Sequence, residues 1–394
     1  MNRKDIFLKH TAQTSKHPLL IEIDHADGIY LTGKDGKKYL DLISGIGVSN
    51  IGHRHPRIVE AVKKQVDKHM HVIVYGEMVQ DPQTDLAEKL QEFLPHSLDC
   101  YYFVNSGTEA NEAALKLVKR CTGRSEIISF RRSYHGSTHG SLSVTGNEEK
   151  KSAFRPLLPS VKFLDFNIPE QLPGISNKTA GVIIEPVQGD AGVRIPDGSY
   201  MKALRNRCTE TGTLLIFDEI QTGFGRTGKL FAFEHFDVVP DILTMAKAMG
   251  GGMPIGAMAS SKDLMSKFTH NPALGHITTF GGHPVNCAAA LANLQVLTET
   301  NLIEETESKG QLFEELLIHD RIVEIRRLGL MIAVELESED MVTRVIKRCL
   351  DKGVIIYWFL STRNSFRIAP PLTISEEEIR TACSIIRQNL DDLD

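Results

Sequence analysis

Three short stretches of this 394-residue sequence place reactive side chains at the ends of apolar runs. The first, Asn105-Ser106-Gly107-Thr108-Glu109, follows an apolar run at 101–104 and leads directly into an amphipathic segment. Small residues let the backbone approach an anion, hydroxyls add donors, and the free N–H groups of a helix start favour negative charge, so this is a phosphate cradle in outline. Read alone, Ser106 or Thr108 could equally be an ordinary N-cap. The second stretch is the run 214–218, which ends in Asp218-Glu219-Ile220-Gln221. Ligands of open α/β sheets sit beyond the carboxyl ends of the strands, so Asp218 could hold a protonated ring nitrogen and Gln221 could donate to a phenolic oxygen. The bland alternative is a solvated or helix-capping acid. The third is Lys247, which follows the run 242–245 and lies among Ala246, Ala248 and Gly250-Gly251-Gly252. Small neighbours leave room for a ring beside the amine, and desolvation lowers a lysine pKa and frees the amine to form an imine. A lone lysine would simply be a surface residue.

Together the three change the reading. A phosphate cradle, a carboxylate for a ring nitrogen and an imine-forming lysine are the parts that pyridoxal phosphate requires. They occur here in order on successive strand ends.

The elements that must hold them follow from the hydrophobic pattern. Two short runs between residues 29 and 42 flank Gly33-Lys34-Asp35-Gly36 and predict a β-hairpin. Pro56 opens a helix with Ile58, Val59, Val62 and Val66 expected on its buried face, and Pro82 precedes a second helix with Leu86, Leu90 and Phe93. From residue 100 onward, strands at 101–104, 127–130, 182–185, 214–218, 242–245 and 256–259 alternate with helices at 109–121, 199–211 and 284–299. This is the pattern of a mostly parallel sheet wrapped by helices. After about residue 300 the order is helix, strands at 322–328 and 331–336, helix, strand, and a last helix opened by Ser375 with Glu378 three residues on. The expected organisation is an N-terminal segment (1–50) belonging to a small domain, a large domain (51–299) and a C-terminal α+β domain (300–394).

Over nearly its whole length the chain resembles the class III aminotransferases of the pyridoxal-phosphate fold type I group, an α/β fold with a large domain and a smaller α+β domain. The resemblance rests on GHRHP (52–56), NSGTEAN (105–111), YHG (134–136), EPVQG (185–189), FDEIQTGFGRTG (217–228), MAKAMGGGMPIGA (245–257), TTFGGHP (278–284) and FRIAPPLTI (366–374). It implies that Ser106, Gly107 and Thr108 bind the phosphate, that Tyr134 stacks on the ring with His135 beside it, and that Asp218 pairs with the ring nitrogen. It further implies that Gln221 lies near the ring hydroxyl and that Lys247 is the Schiff-base residue. Thr279 would reach the phosphate of a neighbouring subunit in a homodimer with shared active sites. Glu185 and Arg367 look like a carboxylate switch, in which the arginine binds the α-carboxylate of glutamate or 2-oxoglutarate and the glutamate neutralises it otherwise; the fork of a guanidinium suits that task. The implied reaction is a ping-pong transfer of an amino group, often an ω-amine, from an amine or amino acid to 2-oxoglutarate.

The chain departs from that pattern around the substrate. Many relatives that use ω-amino acids carry an arginine directly after the aromatic-His-Gly motif, where this chain has Ser137, which cannot supply a cationic fork. Arg131 or Arg132 could compensate from nearby. Ile46 stands where ornithine aminotransferases have tyrosine, and Asp190-Ala191 and His283 replace the more usual Glu-Gly and Asn. Acetylornithine, ornithine and 4-aminobutyrate transfer therefore stay open as specific readings. So do an aminomutase, decarboxylase or racemase of the same fold, although a switch between two substrates favours transamination.

Other classes fit less well. Gly223-Phe224-Gly225-Arg226-Thr227-Gly228 satisfies a dinucleotide fingerprint literally, yet it starts well after the strand end, opens no clear helix and has no ribose acid in place. His53 with His55, or His135 with His139, could be drawn as metal ligands, but neither pair has the supporting glutamate on a helix; no metal is expected. A binding protein without catalysis would not need Lys247, Asp218 and Arg367 together. A net charge of −5 gives no footprint for nucleic acid. The six cysteines are scattered without a CxxC pair, no leader-like segment opens the chain, and the longest apolar stretch, 354–360, is far too short for a bilayer. A cytoplasmic enzyme with small-molecule substrates is the expectation.

Overall fold

The computed structural model describes residues 2–393. Strands β1 (Ile23–Asp27), β2 (Tyr30–Gly33) and β3 (Lys38–Asp41) form an antiparallel meander. The predicted hairpin is β2 and β3, turning through residues 34–37; β1 was not legible because four of its five residues are exposed, which erases the apolar alternation.

The large sheet contains β4 (Cys100–Val104), β5 (Glu126–Phe130), β6 (Val161–Leu164), β7 (Thr179–Ile184), β8 (Leu214–Asp218), β9 (Ile242–Met245) and β10 (Gly256–Ser260), in the order β4-β10-β9-β8-β7-β5-β6. Only β10 runs against its neighbours. Strands β5, β7, β9 and β10 are buried at every position, as a sheet covered on both faces requires. Edge strand β6 is half-exposed, and its four residues between Pro159 and Pro169 carry too short a pattern to be read as a strand.

Helices cover this sheet where the apolar spacing placed them. Gly107–Thr122 starts with the Ser106 side chain accepting the Glu109 N–H and stops at Gly123 in the left-handed region. Gly198–Thr211 ends the same way at Gly212, and Pro284–Glu299 is buried along most of its length against Pro56–Lys68. Proline at the first position sets the start of Pro56–Lys68. Ile58 and Gln65 are its buried residues, whereas Val66, expected inside, is 42% exposed. Phe93 lies beyond the end of its helix and is also exposed, while Leu86 and Leu90 are buried.

Beyond residue 300, β11 (Ile322–Leu328), β12 (Met331–Leu336), β14 (Tyr357–Trp358) and β15 (Ser365–Ile368) make a second antiparallel sheet in the order β11-β12-β15-β14, backed by Glu339–Asp351, on which Glu376–Asp391 with its Ser375/Glu378 capping box packs in turn. The two-residue strand β13 (Val354–Ile355) instead runs parallel to β3, which joins the N-terminal meander to the C-terminal part of the chain. Among the described residues, no helix is long and apolar enough to cross a membrane.

Candidate active site

The parallel strands end on one side of the large sheet, and their following residues surround a cavity of about 480 Å³. The turn after β4 contributes Ser106, Gly107 and Thr108, and the turn after β5 contributes Tyr134, His135 and Ser137. Glu185 stands one residue past β7, Asp218 ends β8 with Gln221 in the next turn, and Lys247 stands two residues past β9. Strand geometry alone brings these residues to one place.

Asp218 is buried and held from three directions. Its Oδ2 accepts from His135 Nδ1 (2.7 Å) and Asn111 Nδ2 (2.8 Å), and its Oδ1 accepts from the Ile220 N–H (3.1 Å). Thr244 Oγ1 fixes Asn111 in turn, donating to its Oδ1 at 2.8 Å. Asn111 was not among the predicted residues; its signal was a polar side chain on the buried face of an otherwise Ala-rich and Leu-rich helix. Behind Asp218, fully buried Glu219 accepts from the Ala232 and Phe233 N–H groups and from Thr222, pinning the loop that follows β8; burial pushes its carboxyl up to about 7.

Lys247 sits at φ +48, a left-handed conformation uncommon for a side-chain-bearing residue, and strain of this kind clusters at functional sites. Burial holds its amine below the usual lysine range. The Asp218 carboxylate pushes it back up, Arg367 lowers it, and Glu185 and Asp190 raise it.

Glu185 and Arg367 do not pair. Glu185 accepts the Tyr134 N–H at 3.2 Å, and burial together with nearby Asp218 raises its carboxyl well above the ordinary range. The partner of Arg367 is Asp190, at 2.8 Å, with both side chains about 6% exposed. The cause is local: residues 188 and 194 bridge antiparallel, so the chain after Glu185 doubles back and delivers Asp190 to the segment 360–361. There Asp190 also accepts the Leu360 N–H (3.0 Å) and the Ser361 hydroxyl (2.8 Å), while the Arg367 guanidinium stacks on Phe359 at 4.4 Å. Arg367 Nε is buried without a partner, which leaves the fork one donor in reserve.

Arg367 stands behind the residues that line the cavity, and four other predicted residues, Ile46, Thr279, Arg131 and Arg132, also fall outside that lining. Ile46 does not line the cavity; it faces a separate apolar groove of about 840 Å³ beneath the N-terminal segment, while Val48 faces the cavity. Residues 44 to 47 all have positive φ, and this left-handed turn rotates Ile46 away. Thr279 is exposed, flanked by exposed Ile277 and Phe280, and is outside this chain's own cavity. Arg131 pairs with Asp165 on the surface and Arg132 is exposed, so neither reaches the cavity; Ser137 is at its mouth, 3.4 Å from the Tyr134 hydroxyl.

The cavity suits pyridoxal phosphate. The first turn of Gly107–Thr122 has helix-start N–H groups beside two hydroxyls, a cradle for a phosphate. A Cβ on Gly107 would come within 2.7 Å of Ile220, and one on Gly136 within 2.4 Å of Thr108, so only glycines allow the turns to close around it. Asp218 can receive a ring N–H, and Lys247 is a partly desolvated amine facing the same space. Tyr134 supplies an aromatic wall, and a Cβ on Gly189 would lie 2.1 Å from Gln221 Oε1, so that glycine admits the Gln221 side chain.

Comparison with known proteins gives the same picture. Residues 11–390 match the family model described as aminotransferase class-III. The acetylornithine aminotransferase of Methanocaldococcus jannaschii is 43% identical over 358 residues, 88% of this chain and 87% of that protein. The [LysW]-aminoadipate semialdehyde/glutamate semialdehyde transaminase of Sulfolobus acidocaldarius is 40% identical over 367 residues, 92% of each chain. Among solved structures, the ornithine aminotransferase of Toxoplasma gondii, with pyridoxal phosphate partially occupying its active site, superimposes with a TM-score of 0.90 at 28% identity, covering 98% of this chain and 92% of that one.

Proposed function

The chain belongs to the class III aminotransferases, enzymes that use pyridoxal phosphate, and on that premise we propose that it exchanges the ω-amine of an N-acylated ornithine-type amino acid with the keto group of 2-oxoglutarate. The observation that carries the acceptor half is the buried Arg367–Asp190 pair. A carboxylate arriving at the fork replaces Asp190 and takes up the reserve Nε donor. Asp190 then keeps the Leu360 N–H and the Ser361 hydroxyl, so its charge is not left bare. When the donor carries only an amine at that end, Asp190 returns and the arginine stays neutralised. Such exchange lets one cavity accept two dissimilar substrates in turn.

The bound cofactor supplies an aldehyde that condenses with amines and a ring that accepts the electron pair of a breaking C–H bond. The residues do the rest. Ser106, Gly107 and Thr108 would hold the phosphate end, Tyr134 would cover the ring face, and Gln221 would serve the ring hydroxyl. Asp218, oriented by His135 and Asn111, keeps a proton on the ring nitrogen. Lys247 Nζ would hold the cofactor and, once released, would move the substrate proton, a task that suits an amine held below the normal lysine range.

The acetylornithine-type donor is supported by the sequence relatives, and Ser137 favours a second reading in which the donor has no distal carboxylate. Bleaching of the cofactor absorbance by N-acetylornithine, 4-aminobutyrate, ornithine and simple diamines separates them. We expect N-acetylornithine to bleach fastest at equal concentration; faster bleaching by simple diamines would reject the acylated donor and select the second reading.

The exposed apolar side chains around Thr279, with Met78 and Val79 (92% exposed), support a homodimer in which Thr279 reaches the partner's phosphate site. Sedimentation should give the dimer mass, and Thr279→Ala should weaken cofactor retention roughly tenfold, the loss of one hydrogen bond to a charged group. A monomeric, fully active enzyme would contradict this assembly.

A further inference from the structure

The loop 223–228, which imitates a nucleotide fingerprint, buries an arginine. Arg226 is 2% exposed and lies where three separate stretches of chain meet. Its Nη1 donates to the carbonyls of Leu330 (3.1 Å) and Pro370 (2.6 Å), and its Nη2 to Asn50 Oδ1 (2.6 Å) and Ser44 Oγ (3.3 Å). Its own carbonyl accepts the Leu330 N–H at 3.1 Å. The glycines of the region permit the docking: a Cβ on Gly225 would lie 2.9 Å from Ile303 and Leu372, and one on Gly329 would lie 2.6 Å from the Thr227 carbonyl carbon.

These partners are neutral. Burial drags the guanidinium down to about 9, with Asp41 the nearby charge that opposes the fall. A buried cation among carbonyls is a costly way to hold a joint that apolar side chains could fill, so its value lies in direction. A planar fork with several donors fixes the angle between the groups it bridges, which a point charge or a methyl cannot do.

What it bridges bears on the substrate. Pro370 is three residues after Arg367, and the Ala369 carbonyl accepts the Ser44 hydroxyl at 2.8 Å while the Ala369 N–H donates to Leu42 at 2.7 Å. Asn50 donates to the Phe224 carbonyl, its own carbonyl accepts the Leu372 N–H at 2.7 Å, and Val48 between Ser44 and Asn50 lines the cavity. The loop carrying Arg226 begins at Asp218 and Gln221. We infer that Arg226 is a positioning residue that sets the end of β15, and so the Arg367 fork, at a fixed distance from the cofactor side of the cavity. This rests on Arg367 being the carboxylate clamp.

The test uses Arg226→Lys, Ser44→Ala and Arg367→Met as cofactor-loaded enzymes, with calorimetric binding of the unreactive dicarboxylate glutarate and steady-state kinetics with 2-oxoglutarate. A displaced fork that loses one charge-assisted hydrogen bond to the carboxylate loses roughly tenfold or more in affinity. Arg226→Lys should therefore raise the glutarate Kd and the 2-oxoglutarate KM by at least about tenfold, with kcat and cofactor absorbance changing far less. Ser44→Ala should move the same constants in the same direction by a few fold, and it decides the matter if Arg226→Lys does not fold. Unchanged glutarate binding in the folded Arg226→Lys enzyme, or equal loss of kcat, cofactor and KM, overturns the inference. If Arg367→Met leaves glutarate binding intact, the clamp assignment itself fails; if only Arg367→Met weakens it, the clamp stands and the role of Arg226 falls.

Discussion

Replacing Lys247 with alanine should lower turnover by at least about 10⁴-fold, the upper range for loss of a general acid–base group, while leaving the fold intact. The loss would be large because, on the proposed assignment, one amine has two tasks, holding the cofactor and moving the proton, and among the described residues no second lysine lines the cavity to share them. The side chain packs no core, so its removal costs activity and not structure. The same amine has a pH signature. Burial holds it below the normal lysine value, so in cofactor-free protein the neutral, reactive form appears at a lower pH than for exposed lysines. Asp218 opposes that shift, and Asp218→Asn should therefore move the onset of cofactor uptake to still lower pH. Competitive acylation followed by mass mapping reads both. An amine that titrates like a surface lysine, or an alanine variant with normal turnover, would remove Lys247 from the mechanism.

Asp218→Asn should reduce kcat by about 10² to 10³-fold, the range for losing one preorganised electrostatic partner, with KM for the donor much less affected. The neutral amide cannot keep a proton on the ring nitrogen. The substitution also places an NH₂ group where the carboxylate now accepts from His135, Asn111 or Ile220, so at least one of these buried donors loses its acceptor. Asp218→Ala frees all three and should cost stability as well. Kinetics beside thermal unfolding separate the two effects, and an asparagine variant with near-normal kcat would show that ring protonation is not the task of Asp218.

Much of the layout was legible in the residues because the candidate site residues stand at strand ends. Leu214–Asp218 is four apolar residues closed by its own acid, and Ile242–Met245 is apolar but for Thr244 and lies two residues before Lys247, so both strands and the places of Asp218 and Lys247 could be read from the pattern. The helix after Ser106 is similarly explicit, and Ser106 is an N-cap that also lines the cavity. What could not be read depended on distant parts of the chain meeting. Glu185 has the obvious address at the end of β7, but the doubling back at residues 188–194 gives Arg367 to Asp190 instead. Ile46 is turned aside by backbone conformations that its sequence disfavours. Arg226 looked like an incidental letter in a glycine motif, and its four acceptors lie 104 to 182 residues away along the chain. Val66 shows the converse failure, since helical spacing marked a face that the fold leaves exposed.

The most direct measurement is reduction of the pyridoxal-phosphate-loaded enzyme with borohydride, followed by proteolysis and mass mapping. A stable cofactor adduct on the peptide containing Lys247 is the predicted result. A peptide recovered unmodified at Lys247, or an adduct confined to another lysine, would contradict the account.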